Sequence, residues 1–167
     1  MGTMTALKAS IVDYVERYAL GGALHGAKAV AEFPSSERVY PLKKPVIAVG
    51  IESVALSGGA LGGYYGSRPD GGADVYGRSA LVTVYFDIHC PVFQGGEGCH
   101  AVYEALCDAL LLGDCPFGFY RMWCGGVGYD GDTAANHLRV RAALRGAVTG
   151  EDTGIALRDF TVLRNKE

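Results

Sequence analysis

Cys99 is the residue whose type and surroundings come nearest to covalent chemistry. It follows Gly95-Gly96-Glu97-Gly98 and opens a stretch with helical spacing. A helix N-terminus favours the thiolate and so lowers a thiol pKa. A Cys–His site needs a base within hydrogen-bond reach, and His89 and His137 are the candidates. Glu97 weighs against it, because a nearby negative charge raises the thiol pKa, and no oxyanion donor can be named. A cysteine in a first helical turn also packs well against a sheet as a small hydrophobe. Cys90, Cys99, His100 and Cys107 can be gathered into a ligand set, but their spacing matches none of the usual structural-zinc patterns. No P-loop, HExxH, GxSxG or CxxC motif occurs, and the glycines of 58–77 do not form GxGxxG between a strand and a helix. The residues therefore predict no catalytic group, no metal and no cofactor.

Two other groups are suited to contact rather than to catalysis. Arg139, Arg141 and Arg145 alternate along one segment and so share a strand face. Such a row is a solvated sheet face by default, but it also fits carboxylates on a partner or a DNA-filled channel. Leu61, Tyr64, Tyr65 and Arg68 lie in the Gly-rich stretch 57–77. A purely flexible linker has no use for those side chains. The stretch reads either as a surface hairpin or as an arm that orders against a neighbour and buries its tyrosines there.

The elements that position these groups follow from periodicity. Residues 79–89 alternate, with Val82, Val84, Phe86 and Ile88 on one face and Thr83, Tyr85, Asp87 and His89 on the other. Pro91 ends this strand, Gln94–Gly98 reads as a turn, and Cys99–Leu112 reads as a helix stopped by Gly113 and Pro116. Residues 4–20 carry a helical stripe of Leu7, Ile11, Tyr14 or Val15, and Tyr18 that ends at Gly21-Gly22. Residues 28–33 suggest an edge strand, and the β-branched run 46–56 a central one. Residues 117–124 begin a further strand that can continue through Val127 and Tyr129 past a glycine bulge. Asp130-Gly131-Asp132 then turns the chain into the partner strand 137–148, with Leu138, Val140, Ala142 and Leu144 inward. Residues 150–167 form an extension with a possible last strand near 155–163. This order predicts one α+β domain over 1–167, with two helices packed on one face of a mainly antiparallel, mixed sheet.

The whole-chain properties narrow the class. A net charge of −3 gives no general attraction to nucleic acid or anionic membranes. No apolar run is long enough to span a bilayer, and the first residues lack a signal-peptide pattern. Five cysteines, an odd number set mostly in apolar patterns, point to a reduced compartment.

Val39–Gly50, the Gly-rich stretch, Ala80–Cys90, Gly95–Leu110 and the hairpin ending Arg139-Val140-Arg141-Ala142 follow one another in an order that resembles small tail terminator or tail-completion proteins of long-tailed phages and prophages. The resemblance covers residues 5–148 and rests on structural motifs. It implies a mixed sheet flanked by helices and a virion protein, assembled in the bacterial cytoplasm, that forms a ring, commonly a hexamer, at the head-proximal end of the tail. The implied partners are further copies of the chain, the tail tube protein and the head–tail connector or neck protein, with DNA passing through the ring. A neck or connector adaptor is the nearest alternative, and a small cysteine hydrolase using Cys99 the more distant one.

Overall fold

Alternation builds the sheet. In the strand Asp74–Pro91 the side chains of Ala80, Val82, Val84, Phe86 and Ile88 are buried, while Leu81, Thr83, Tyr85 and Asp87 face the opposite way. The strand Ala135–Glu151 pairs antiparallel with it along its full length, from Val75↔Glu151 to Pro91↔Ala135. This register sets Leu138, Val140, Ala142 and Leu144 beside the same buried row.

The structure is a computed structural model that describes residues 3–31, 42–58, 63–67, 74–151 and 159–162. In chain order its elements are α1 (Thr3–Leu20), β1 (Lys28–Ala31), β2 (Val46–Gly58), β3 (Tyr64–Ser67), β4 (Asp74–Pro91), α2 (Gly95–Cys107), β5 (Phe119–Cys124), β6 (Gly128–Asp130), β7 (Ala135–Glu151) and β8 (Asp159–Val162). The eight strands form one sheet in the order β1-β2-β4-β7-β5, with β3 beside β4, and β6 and β8 beside β7. The β1–β2 pair is parallel and the other described pairs are antiparallel. The fold is α+β, with a mixed sheet and two helices packed on it.

The helices cover the buried face. In α1, Leu7, Ile11, Val15 and Ala19 recur every four residues and pack on β1, β2 and β8. In α2, Cys99, Val102 and Leu106 pack on β4 and β7, and a π-helical turn (Asp108–Leu112) adds Ala109 and Leu110. The Gly113 N–H donates to Asp108 O at 2.7 Å, the five-residue spacing of a π turn. The Tyr14 hydroxyl donates to Ala109 O at 2.9 Å and ties the two helices, and burial pushes its pKa up to about 12. Among the described residues no helix is long and apolar enough to cross a membrane.

Two expectations are corrected. The glycines before Cys99 are not a turn preceding the helix but its first turn, fed directly by a 3₁₀ turn (Val92–Gln94). A Cβ on Gly98 would lie 2.8 Å from Gln94 Cβ, so glycine permits that tight entry. The strand begun at 117–124 is split into β5 and β6, each paired to β7, with an irregularity between Phe119 and Arg121. The run expected as a central strand is interior, with β2 paired to β1 on one side and β4 on the other, and β4 and β7 lie further in. The Gly-rich stretch 57–77, expected as a surface hairpin or an arm, is strand where it is described apart from the turn at Gly63. β2 runs to Gly58 opposite Arg78, and β3 takes up the pairing with Tyr64 opposite Tyr76. β2 and β3 in turn line one side of β4 in a long hairpin, here called the arm, while β7 lines the other side of β4 to Val75↔Glu151. Gly63 sits at φ 91° against Gly77 O, where a Cβ would come within 2.9 Å. Residues 68–73 lie outside the described residues, as do 152–158, while β8 supplies the last strand expected in the C-terminal extension.

Candidate functional site

The thiol and the imidazoles are divided by the sheet. Cys90 and Cys99 are fully buried on the helical side, where Cys99 Sγ approaches Asn136 O at 3.6 Å. His89 and His137 are directly paired across β4 and β7 and belong to the opposite face, one residue out of phase with Cys90 and Asn136. Both thiols are free; hydrogen bonding between them, with burial, holds Cys90 far above the usual thiol range, and the same interaction draws Cys99 below it, with burial opposing and the His137 charge adding to the lowering. The Cys99–His pair considered from sequence is thus not assembled. His100 is exposed on α2 and Cys107 sits a helical turn or more away beside Tyr103, so the four-residue ligand set is not brought together either. Among the described residues no group of three or more His, Cys, Asp or Glu is placed to hold a metal.

The face away from the helices is a closed polar ladder. Asp87 accepts from Arg139 Nε at 2.7 Å and Nη2 at 2.6 Å, and lies 3.1 Å from His137 Nε2. Burial alone would raise the Asp87 carboxyl, but the bonds from Arg139 and His137 outweigh it and hold it far below the ordinary carboxylate range. The bond to Asp87 raises His137 in turn. The His137 ring stacks on His89 at 4.8 Å, and His89 Nδ1 lies 3.2 Å from Thr133 Oγ1, whose hydroxyl donates to Asp130 at 2.7 Å. Arg141 donates to Glu52 at 2.8 Å and so lowers that carboxyl. Arg139 also covers the Tyr85 ring at 5.0 Å, while Tyr85 fills the space above Gly50, where any Cβ would strike its ring. Arg145 stacks on Tyr120 at 4.5 Å. Within the subunit, two members of the arginine row pair with carboxylates and the third stacks on a ring, and all three remain at least partly exposed.

The arm and the adjoining end of the sheet carry one set of exposed apolar groups. Beyond the bulge between Ile51 and Ser53, Val54 and Leu56 are paired with Val82 and Ala80, on the helical side of the sheet. There the helices no longer reach, and Leu56 remains 51 % exposed. Tyr64 and Tyr76 continue this row, stacked edge-on at 5.8 Å and both exposed. The Tyr64 hydroxyl bonds Ser67, which donates to Asp74 at 2.8 Å. Of the other contact residues expected here, Tyr65 lies in β3, while Leu61 and Arg68 are outside the described residues.

At the opposite end of β4 a cleft of about 670 Å³ is lined by Leu42, Lys43, Val92, Phe93 and Ala134. Phe93 is 77 % exposed. None of these lining residues was singled out from sequence. The available signal was Val92-Phe93 placed between a strand-ending proline and a glycine-rich helix start, where neither period assigns them an inward face. No family model matches this chain, and no curated protein matches it either.

Proposed function

We propose that this chain is a structural subunit that joins copies of itself into a ring, of the kind that caps the head-proximal end of a phage tail tube, ends tube growth and offers a docking surface to the head. The observation that carries the reading is the end of the sheet formed by β2, β3 and β4, where Val54, Leu56, Tyr64 and Tyr76 are exposed on the helical side. A monomer gains nothing from four exposed apolar side chains in a row, whereas an interface does. The resemblance in segment order noted above supplies the tail-end assignment. Termination on this account needs one ring face that matches the tube subunit and one that does not, so that the next tube ring finds no complementary surface.

The test is mass measurement in solution with negative-stain images, followed by addition of the chain to polymerising tail-tube protein. Closed rings and shortened tubes support the reading. A monomer at all concentrations, or tubes of unchanged length, overturns it.

A further inference from the structure

The buried row of β4 ends in a thiol that meets a second one. Cys90 lies opposite Asn136 in the β4–β7 register. Cys99, in the first turn of α2, brings its Sγ to 3.6 Å from Asn136 O. The two thiols thus sit over one strand pair, hydrogen-bonded to each other, and both are free. They share the core with Ile88, Val102, Leu106 and Leu138, all aliphatic. The helix comes close to the strand here, since a Cβ on Gly98 would lie 3.7 Å from Cys90 Cβ. Closing a thiol–thiol hydrogen bond to the ~2.05 Å of a disulfide moves the sulfurs by less than ~2 Å. Gly95, Gly96 and Gly98 stand between the two cysteines, and a glycine-rich helix entry absorbs such a shift.

We propose that Cys90 and Cys99 form a peroxide-responsive dithiol, whose oxidation to a disulfide locks the end of β4 to the first turn of α2. The proposal stands apart from the assembly reading. Cys99 is the nucleophile, its thiolate favoured by the hydrogen bond from Cys90 against the cost of burial. The thiolate attacks one peroxide oxygen and the O–O bond breaks. The departing hydroxide takes up the proton that Cys99 released, which leaves water and a Cys99 sulfenic acid. Cys90 is held protonated by its hydrogen bond to Cys99 and by burial, and that hold weakens once Cys99 is no longer an anion. The Cys90 sulfur then attacks Cys99 Sγ and the S–O bond breaks. Hydroxide leaves with the Cys90 proton as a second water, and the S–S bond forms. Two thiols lose two electrons to one peroxide. Peroxide is close to water in size, so it enters through a smaller local opening than iodoacetamide needs.

Cys107→Ser/Cys115→Ser/Cys124→Ser removes the partly exposed thiols and keeps the buried pair. Hydrogen peroxide near neutral pH should make this variant two hydrogen atoms lighter by intact mass, with no added oxygen and both thiols lost together. Cleavage after glutamate separates the pair at Glu97 and releases Gly98–Glu104, which should be found linked to the peptide holding Cys90. The melting temperature should rise by roughly 5–10 °C and return to its starting value with dithiothreitol. Two thiols that survive peroxide able to oxidise the same variant in urea overturn the proposal. So does added oxygen without a disulfide, or a disulfide that leaves the melting temperature unchanged or lower. If the triple variant does not fold, the same digest of the parent chain decides. Gly98–Glu104 linked to the Cys90 peptide supports the proposal, and any other pairing of Cys99, or none, overturns it.

Discussion

Asp87→Ala probes whether the polar face is internal structure or a docking surface. The carboxylate is 13 % exposed and accepts from Arg139 at 2.6 and 2.7 Å with His137 at 3.1 Å, whereas the Arg139 side chain is 45 % exposed. A hydrogen bond to a charged group is worth roughly 1.5–3 kcal/mol when buried, but a half-exposed arginine brings its pair toward the ~0–1 kcal/mol of surface pairs. Together the two partners should make the substitution cost about 2 kcal/mol. For a chain of this size that is a fall of about 4–8 °C in melting temperature. The pH course follows from the two shifts. Asp87 is depressed, so its contribution is present above the unfolded carboxylate value of ~3.9 and disappears as pH falls through the folded one. His137 is raised, so its share is complete below ~6.5 and disappears as pH rises through its folded value. The gap between parent and variant should thus be widest between about pH 5 and 6.5, narrow on both sides, and keep the Arg139 part at alkaline pH. Urea unfolding followed by circular dichroism at fixed protein concentration measures it. A gap under about 0.5 kcal/mol, or one that is flat from pH 3 to 9, refutes the reasoning.

The other predictions are narrower. His137→Gln should lose stability relative to the parent by about 1 kcal/mol near pH 6, and the difference should vanish as pH rises past the folded imidazole value, measured by the same unfolding curves. Gly50→Ala forces Tyr85 off the sheet and should destabilise by about 1–3 kcal/mol, with much of the loss recovered in Gly50→Ala/Tyr85→Ala. Iodoacetamide near neutral pH should leave Cys90 and Cys99 unmodified in the folded chain while the partly exposed Cys107, Cys115 and Cys124 react first. Rapid stoichiometric labelling of Cys99 by mass spectrometry would return covalent chemistry to consideration.

What was legible in the sequence was whatever alternation or helical spacing carries. The rows 79–89 and 138–145 place their side chains correctly because each strand has one face on the core, and a slip of one residue would expose it. The stripe of α1 is legible for the same reason. The arm was legible only as a hairpin or loop without its strands, since glycines at 58, 59, 62, 63 and 66 erase the period while β3 still pairs through backbone groups. The parallel partner of β2 was also hidden, because four residues of edge strand carry no signal of direction. At the candidate site, sequence located the tyrosines and the arginine row but could not show that Glu52 and Asp87 occupy two of those arginines. Glu52 is 89 positions from Arg141 and reaches it through the bulge after Ile51. The cleft depends on Leu42, Phe93 and Ala134 meeting in space, which no local pattern encodes.

The central claim is that the hairpin arm holds copies of this chain together. Sedimentation velocity of the full chain beside a variant lacking Gly62–Gly72 tests it most directly. The account predicts a ring of several subunits for the former and a folded monomer for the latter. A deletion variant that still sediments at the mass of the ring would contradict it.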